Sequence, residues 1–212
     1  MQREEIINVP NLVSMGRLAM APFLVLFLYL EKYLNADGGT YFYAIAATAV
    51  FCIAAVSDVL DGYLARKTGQ VTDIGKFLDP LADKVIVATA LILLVNLDRA
   101  PAWVALVIIL REMLITGLRG MAGTRGTIIA ASSLGKSKTV WQDIAIGCLL
   151  LHGQLDFGWG ILPNWLAWVT YHQVGTIAMY IAVFFTIYSG YDYIAKFWAS
   201  ETVKSNQDEP AP

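Results

Sequence analysis

Long apolar runs separated by short polar segments dominate the hydrophobic pattern of this 212-residue chain. About 20 consecutive, mainly apolar residues are enough for a helix to cross the hydrocarbon core of a bilayer. The pattern therefore predicts an all-α, polytopic membrane protein with six transmembrane helices. The predicted spans cover residues 12–30, 38–57, 85–97, 100–118, 139–155 and the stretch from about 170 onward.

The third run is short, and it reaches spanning length only if its helix begins before Asp79. Pro80 leaves two arrangements open. It is either the first residue of the helix, with Asp79 as the N-cap, or a kink inside a helix that starts near Asp73. In both arrangements Asp79 and Asp83 lie near one end of this helix.

Composition and charge agree with a membrane protein and suggest its orientation. The chain is 57% hydrophobic and 15% charged, whereas soluble domains are roughly 45–50% apolar and about 25% charged. The net charge of -2 gives no reason to expect a nucleic-acid partner. Basic residues mark cytoplasmic loops, and the loops after the second and fourth spans are richer in them than the loops on the other side. The residues compared are Arg66, Lys67, Lys76, Arg119, Arg125, Lys136 and Lys138 on one side, and Lys32 and Arg99 on the other.

We therefore predict a multi-pass membrane protein, with both termini and the basic loops in the cytoplasm. Residues 1–200 are expected to form a single domain. The polar tail 201–212 is expected to be disordered.

Four aspartates lie at helical spacing where the second and third spans approach each other. Asp58 and Asp61 are three residues apart, and Asp79 and Asp83 are four apart, so each pair lies on one helix face. Two antiparallel helices joined by one loop can bring the four carboxylates together at the cytoplasmic ends of helices 2 and 3.

Such a cluster needs neutralising charge, because an acid costs roughly 2.5–3.5 kcal/mol at the centre of a membrane helix. Oxygen ligands without His or Cys suit Mg²⁺, Mn²⁺ or Ca²⁺, and four carboxylates are enough for two ions. A structural ion-pair network or a proton path is the alternative interpretation.

Small residues and one arginine accompany the aspartates. Gly62 and Ala65 lie beside Asp61, and Gly75 lies one turn before the second pair, where a bulky side chain would block a ligand. Arg66 suits a phosphate. Close packing of membrane helices is the alternative explanation for the glycines and the alanine.

The pattern D-x-x-D-G-x-x-A-R, then eight residues, then G-x-x-x-D-x-x-x-D covers residues 58–83 without departure. It resembles the signature of the CDP-alcohol phosphotransferase family. The resemblance implies a six-helix membrane enzyme with a divalent-metal site, expected to hold two Mg²⁺ or Mn²⁺ ions, that displaces CMP with an alcohol acceptor. It further implies Asp83 as catalytic base, although spacing alone does not separate a base from a fourth metal ligand. The metal ligands implied are Asp58, Asp61, Asp79 and Asp83, and the implied CDP-diacylglycerol-binding residues are Asp61, Gly62, Ala65, Arg66 and Gly75.

Three further segments resemble the members of that family that join CDP-diacylglycerol to sn-glycerol 3-phosphate. They are NVPNLVSMGRL at 8–18, REMLITGLR at 111–119 and LGKSKT at 134–139. The expected reaction is therefore transfer of the phosphatidyl group to sn-glycerol 3-phosphate with release of CMP. Cardiolipin synthase and phosphatidylinositol-phosphate synthase activities remain alternatives, because the acceptor is what the sequence specifies least.

Four cations fit a phosphorylated acceptor. Arg111 and Arg119 are about two turns apart, and Lys136 and Lys138 begin the fifth span. We expect them to bind the acceptor phosphate, with Glu112 orienting one of them. A simple excess of basic residues in cytoplasmic loops is the competing explanation.

The expected partners are CDP-diacylglycerol, sn-glycerol 3-phosphate, membrane lipids and a second copy of the chain in a homodimer. A secondary transporter would also carry acids within the membrane, but transporters tend to show repeats and midplane sites. A scaffold or receptor without chemistry is the remaining class.

Overall fold

The computed structural model describes residues 9–34, 42–68, 73–124, 133–152 and 169–208. Within these ranges the side chains of 9–11, 58–68, 73–80, 124, 133–134 and 200–208 lie outside the description. The described part contains six helices, which confirms the predicted all-α class. They are α1 (Val9–Leu34), α2 (Phe42–Thr68), α3 (Asp73–Asn96), α4 (Ala102–Thr124), α5 (Ser133–Leu151) and α6 (Tyr171–Asp208).

The helices pack as a bundle in which α1 contacts α2 and α3, and α5 contacts α6. Helix α4 packs between α3 and α6, while α2 and α3 both contact α5. Side chains such as Leu28, Leu91, Ile108 and Leu149 are almost fully buried between them. The core thus forms where all six apolar helices face one another.

Large apolar side chains also cover the outside of the bundle. Phe23, Ile53, Leu106 and Phe184 are each more than half exposed, and an exterior of this kind is stable in lipid rather than in water. The segments Leu12–Leu34 and Tyr171–Ala199 are long and apolar enough to cross a membrane by themselves, and a shorter apolar segment covers Phe42–Ser57.

The structure decides between the two arrangements left open for the third helix. Helix α3 begins at Asp73, so Pro80 lies inside it and Asp79 is not its N-cap. The missing N–H of Pro80 removes one backbone hydrogen bond, and the helix continues through it. At the other end of the chain, α6 is helical to Asp208. It therefore enters the segment 201–212 that was predicted to be a polar tail.

Helices α5 and α6 approach closely at Gly175. A Cβ atom at this position would lie 2.8 Å from Cγ of Leu149 and 3.0 Å from Cβ of Cys148. Only glycine leaves room for that contact, and small residues at helix interfaces allow this kind of approach in membranes.

One end of the bundle is tied by a cluster of four polar residues, here called the Arg99 cluster, which consists of Glu31, Lys32, Asn96 and Arg99. Arg99 Nη2 lies 2.6 Å from Oε1 of Glu31, and Arg99 Nη1 donates to the backbone oxygen of Leu150 at 3.1 Å. Lys32 Nζ donates to the backbone and side-chain oxygens of Asn96, both at 2.9 Å. The C-terminal ends of α1, α3 and α5 thus meet here, and their N-terminal ends lie at the opposite end of the bundle.

Candidate active site

The predicted aspartates lie on two neighbouring helices. Asp58 and Asp61 are in the second half of α2, and Asp79 and Asp83 are in the first half of α3. These parts of the two helices are at the end of the bundle opposite the Arg99 cluster. The side chains of Asp58, Asp61 and Asp79 lie outside the described residues. Of the four aspartates, the structure therefore describes the side-chain surroundings of Asp83 only.

The small residues and the arginine of the same motif share this placement. Gly62, Ala65 and Arg66 are helical positions of α2, and Gly75 is a helical position of α3. Their surroundings lie outside the described residues, and their predicted contacts with CDP-diacylglycerol stay predictions.

Asp83 lines a cavity of about 170 Å³ between α3, α4 and α5, here called the first cavity. Apolar residues such as Ile108 and Met113 form part of its wall. Its polar lining residues are Asp83, Lys84, Glu112, Lys138, Thr139, Gln142 and Asp143. A small cavity that combines a carboxylate, a buried ammonium group and an amide is suited to a small polar ligand.

A second cavity of about 390 Å³ lies between α2, α3 and α5. Phe51 and Ala54 of α2 and Lys136 of α5 line it, together with Asp83 and Asp143. Asp83 and Asp143 therefore border both cavities, and two ligands bound on either side would meet at these carboxylates.

Glu112 binds two cations beside the first cavity. Its Oε1 atom accepts hydrogen bonds from Arg111 Nη1 and from Lys138 Nζ, each at 2.7 Å. The Lys138 side chain is 3% exposed and that of Glu112 is 24% exposed. A buried ammonium group is costly unless it is paired, so Glu112 is what holds Lys138 in place.

Helix α6 fixes the other side of Arg111. Arg111 Nη2 donates to Oγ of Ser189 at 3.0 Å, and Ser189 is 1% exposed. A Cβ atom on Gly190 would lie 3.3 Å from Cγ of Arg111, so glycine leaves space for the arginine stem. Arg111, Glu112, Lys138 and Ser189 are here called the Glu112 cluster.

The structure brings two of the four predicted cations together and separates the others. Arg111 and Lys138 share Glu112, as described above. Lys136 is exposed and lines the second cavity. Arg119 is also exposed, and its guanidinium carbon lies 6.0 Å from the centre of the Tyr193 ring.

Sequence reasoning missed Gln142 and Asp143 as lining residues. Asp143 was the lone charge in the fifth apolar run, and an acid within a membrane helix is by default a candidate functional residue. Gln142 is four residues after Lys138, so the two lie on the same helix face. The intramembrane charge of Asp143 and the spacing of Gln142 are visible in the sequence, but both residues lie outside the aspartate motif of α2 and α3.

Buried Arg17 is a further polar residue of this end. It lies in the first half of α1 and is 1% exposed.

Among the side chains that the structure describes, no three His, Cys, Asp or Glu residues cluster as metal ligands. Three of the four predicted ligands lie outside that set.

Comparison with known proteins decides the family. The sequence profile of the CDP-alcohol phosphatidyltransferase family matches residues 7–188. The chain belongs to this family. The predicted resemblance is thereby confirmed, and so are the expected classes of membrane protein and transferase. Membership in the CDP-alcohol phosphatidyltransferase family also removes the transporter and scaffold alternatives.

Three relatives have the same name, CDP-diacylglycerol–glycerol-3-phosphate 3-phosphatidyltransferase. The protein from Bacillus subtilis is 42% identical over 90% of this chain and 95% of its own length. The protein from Shigella flexneri is 36% identical over 89% of this chain and 93% of its own. The protein from Rickettsia typhi is 33% identical over 88% and 94%. These CDP-alcohol phosphatidyltransferases match this chain through nearly its whole length.

Proposed function

We propose that this chain transfers the phosphatidyl group of CDP-diacylglycerol to sn-glycerol 3-phosphate, releasing CMP and forming phosphatidylglycerophosphate. The observation that carries the proposal is the first cavity, where the Asp83 carboxylate and the buried Lys138 ammonium group line one small space. The names of the three relatives describe the same reaction.

The acceptor is assigned to the first cavity and the donor to the second. Lys138 lines the first cavity, and an ammonium group has three donors, of which Glu112 uses one. The phosphate of the acceptor then contacts Lys138, while Arg111 supports this lysine through Glu112. Lys136 and Arg119 remain proposed phosphate ligands at the rim of the site.

The donor's cytidine and diphosphate fit the larger second cavity, since α2 forms one of its walls. Asp58 and Asp61 follow on the same helix, together with Gly62, Ala65 and Arg66. The acyl chains of the donor would remain in the lipid around the bundle.

Asp83 lies where the two substrates meet and is proposed as the general base. It takes the proton of the acceptor's primary hydroxyl group, whose oxygen forms a bond to the β-phosphorus. The bond from that phosphorus to the bridging oxygen breaks, and its electron pair leaves with CMP. The reaction requires no covalent intermediate with the protein.

The family is generally divalent-metal dependent, and the donor set here has the matching chemistry. Asp58, Asp61, Asp79 and Asp83 are all carboxylates, which Mg²⁺ and Mn²⁺ prefer. We propose that these four residues hold two such ions. Bound there, the ions would neutralise the charge of the diphosphate.

A panel of acceptors tests the proposed reaction. Purified protein in mixed micelles is given CDP-diacylglycerol and, in separate samples, sn-glycerol 3-phosphate, glycerol, phosphatidylglycerol or inositol phosphate. We expect rapid release of CMP only with sn-glycerol 3-phosphate. Faster turnover with phosphatidylglycerol or inositol phosphate would move the proposal to cardiolipin synthase or to phosphatidylinositol-phosphate synthase.

We also propose that the protein resides in the bacterial cytoplasmic membrane with the Asp83 end facing the cytoplasm. The excess of Lys and Arg in the loops at that end supports this orientation. A cysteine at Lys67 should then react only with cytoplasmic reagents, and one at Gly39 only with external reagents. The homodimer stays a prediction, to be checked by cross-linking in the membrane.

A further inference from the structure

Gln142 lines the first cavity and has a buried side-chain oxygen without a described hydrogen-bond partner. The residue is 2% exposed, and its Oε1 atom has no hydrogen-bond partner among the described atoms. Buried polar groups in folded proteins nearly always have a partner, and an exception needs an explanation.

The neighbours of Gln142 suggest the explanation. Lys138, Glu112 and Asp83 line the same cavity. Glu112 and Lys138 already bind each other at 2.7 Å, and Asp83 is the proposed base. The amide is thus a polar group of the cavity that neither the ion pair nor the proposed proton transfer uses.

The size of the first cavity limits which ligands could hydrogen-bond to Gln142. Pockets for drug-sized ligands enclose about 300–1,000 Å³, whereas the first cavity encloses about 170 Å³. A short phosphorylated polyol fits this space better than a liponucleotide. Such a ligand has its phosphate at one end, its reacting hydroxyl at the other, and any further hydroxyl between them.

We propose that Gln142 is a specificity-determining residue that hydrogen-bonds the non-reacting secondary hydroxyl, at C2, of sn-glycerol 3-phosphate. This inference rests on the proposed function and adds to it the recognition of the middle of the acceptor. Lys138 holds the phosphate, Asp83 faces the C1 hydroxyl, and Gln142 contacts the hydroxyl between them. A hydroxyl group both donates and accepts, so the contact forms whichever way the amide is oriented.

The test compares two acceptors that differ only in that hydroxyl. They are sn-glycerol 3-phosphate and 3-hydroxypropyl phosphate, which keeps the phosphate and a primary hydroxyl but lacks the C2 oxygen. A site built to bind a hydroxyl discriminates strongly against an analogue without it. The wild-type protein should therefore have a kcat/KM at least about tenfold higher for sn-glycerol 3-phosphate.

Gln142→Met keeps the length of the side chain and removes its hydrogen-bonding groups. It should lower kcat/KM for sn-glycerol 3-phosphate at least about tenfold and leave kcat/KM for 3-hydroxypropyl phosphate nearly unchanged. Gln142→Leu serves as a second variant with the same expectation. Gln173→Met is the matched control, because Gln173 is exposed and its side chain bonds Thr170 at the start of α6. It should change neither value.

Each outcome has a definite meaning. The inference is overturned if the variants lose activity equally with both acceptors, or if wild-type protein uses both equally well. In either case Gln142 does not recognise the C2 hydroxyl. The proposed function then still stands. If wild-type protein forms no product from sn-glycerol 3-phosphate at all, the proposed function itself fails.

Discussion

The Arg99 cluster and the Glu112 cluster contain the same kinds of residues and use them differently. In the Arg99 cluster, one arginine binds one carboxylate at 2.6 Å and also a backbone oxygen at a helix end. In the Glu112 cluster, one carboxylate oxygen binds both an arginine and a lysine at 2.7 Å. Only the second cluster borders a cavity described above.

We interpret this difference as a structural use of buried charge in the Arg99 cluster and a functional use in the Glu112 cluster. Arg99 and Glu31 neutralise each other, and Arg99 also satisfies a helix terminus that would otherwise lack a partner. Glu112 binds two cations, one of which is the buried Lys138, and this pair lines the first cavity, whereas no residue of the Arg99 cluster lines either described cavity. We therefore expect changes at the Arg99 cluster to alter stability, and changes at the cavity end to alter kinetics.

Removal of divalent ions should give the largest effect and should act only on the cavity end. EDTA is expected to abolish release of CMP, because in the proposed mechanism the four aspartates would then face the diphosphate without neutralising charge. Adding Mg²⁺ or Mn²⁺ should restore it. Helix content, measured by circular dichroism, should persist, since no residue of the Arg99 cluster is among the proposed metal ligands. Full turnover in metal-free buffer would contradict the proposal that two divalent ions are required.

Asp83→Asn should have the next largest effect. The change keeps the shape of the side chain and removes its basicity, so turnover should fall about 10²–10⁴-fold. Asp98→Asn is the matched control, because Asp98 lies next to Arg99 at the other end and has a φ of 55°. Asparagine tolerates that conformation, and turnover should be retained. An Asp83→Asn protein with more than a tenth of wild-type activity would show that Asp83 is not the base.

Lys138→Met should weaken binding of the acceptor. A charge-assisted hydrogen bond contributes about 1.5–3 kcal/mol, so KM for sn-glycerol 3-phosphate should rise about tenfold or more. KM for CDP-diacylglycerol should change much less. Lys196→Met removes an exposed lysine that binds Asp192 at 2.6 Å and should leave both KM values unchanged. Equal increases in both KM values for Lys138→Met would contradict its assignment to the acceptor.

The smallest kinetic effect is expected from Glu31→Gln, which is paired with Glu112→Gln. Glu31→Gln removes the charge that binds Arg99 and should lower the free energy of unfolding by about 1–3 kcal/mol, with kcat and KM preserved. Glu112→Gln should instead raise KM for sn-glycerol 3-phosphate, because Lys138 loses the negative charge that holds it in place. Thermal unfolding and steady-state kinetics of both proteins measure the contrast. Kinetic losses in Glu31→Gln would break the distinction between the two clusters.

The sequence was sufficient to predict the number of helices and to identify the two helices that carry the aspartates. Apolar runs of membrane length are strong signals, and each of the six described helices overlaps one predicted span. However, α2 continues to Thr68, beyond the predicted end at residue 57, and α3 starts at Asp73, before the predicted start at residue 85. Spacing also put Asp79 and Asp83 on one helix, although only the structure shows that this helix starts at Asp73.

Contacts between distant helices were beyond sequence reasoning. Arg111 binds Ser189, which is 78 residues away, and Gly190 makes room for its stem. Such a contact depends on how each helix is rotated about its axis, and hydropathy does not fix that rotation when several faces are apolar. For the same reason Lys32 and Arg99 were read only as loop charges, whereas both have specific partners.

The close contact at Gly175 sets the depth of the polar groups of α5 in the bilayer. Gly175 admits the Leu149 side chain at one level along α6, and Gln142 lies seven residues before Leu149 on α5. At 1.5 Å per residue the two levels are about 10 Å apart along the helix axis. A side chain at Gly175 would force α5 to slide or tilt. The positions of Lys138, Gln142 and Asp143 along the bundle axis would then change together. If the proposed function holds, a glycine that lines neither described cavity would thus set the height of the acceptor relative to the lipid headgroup.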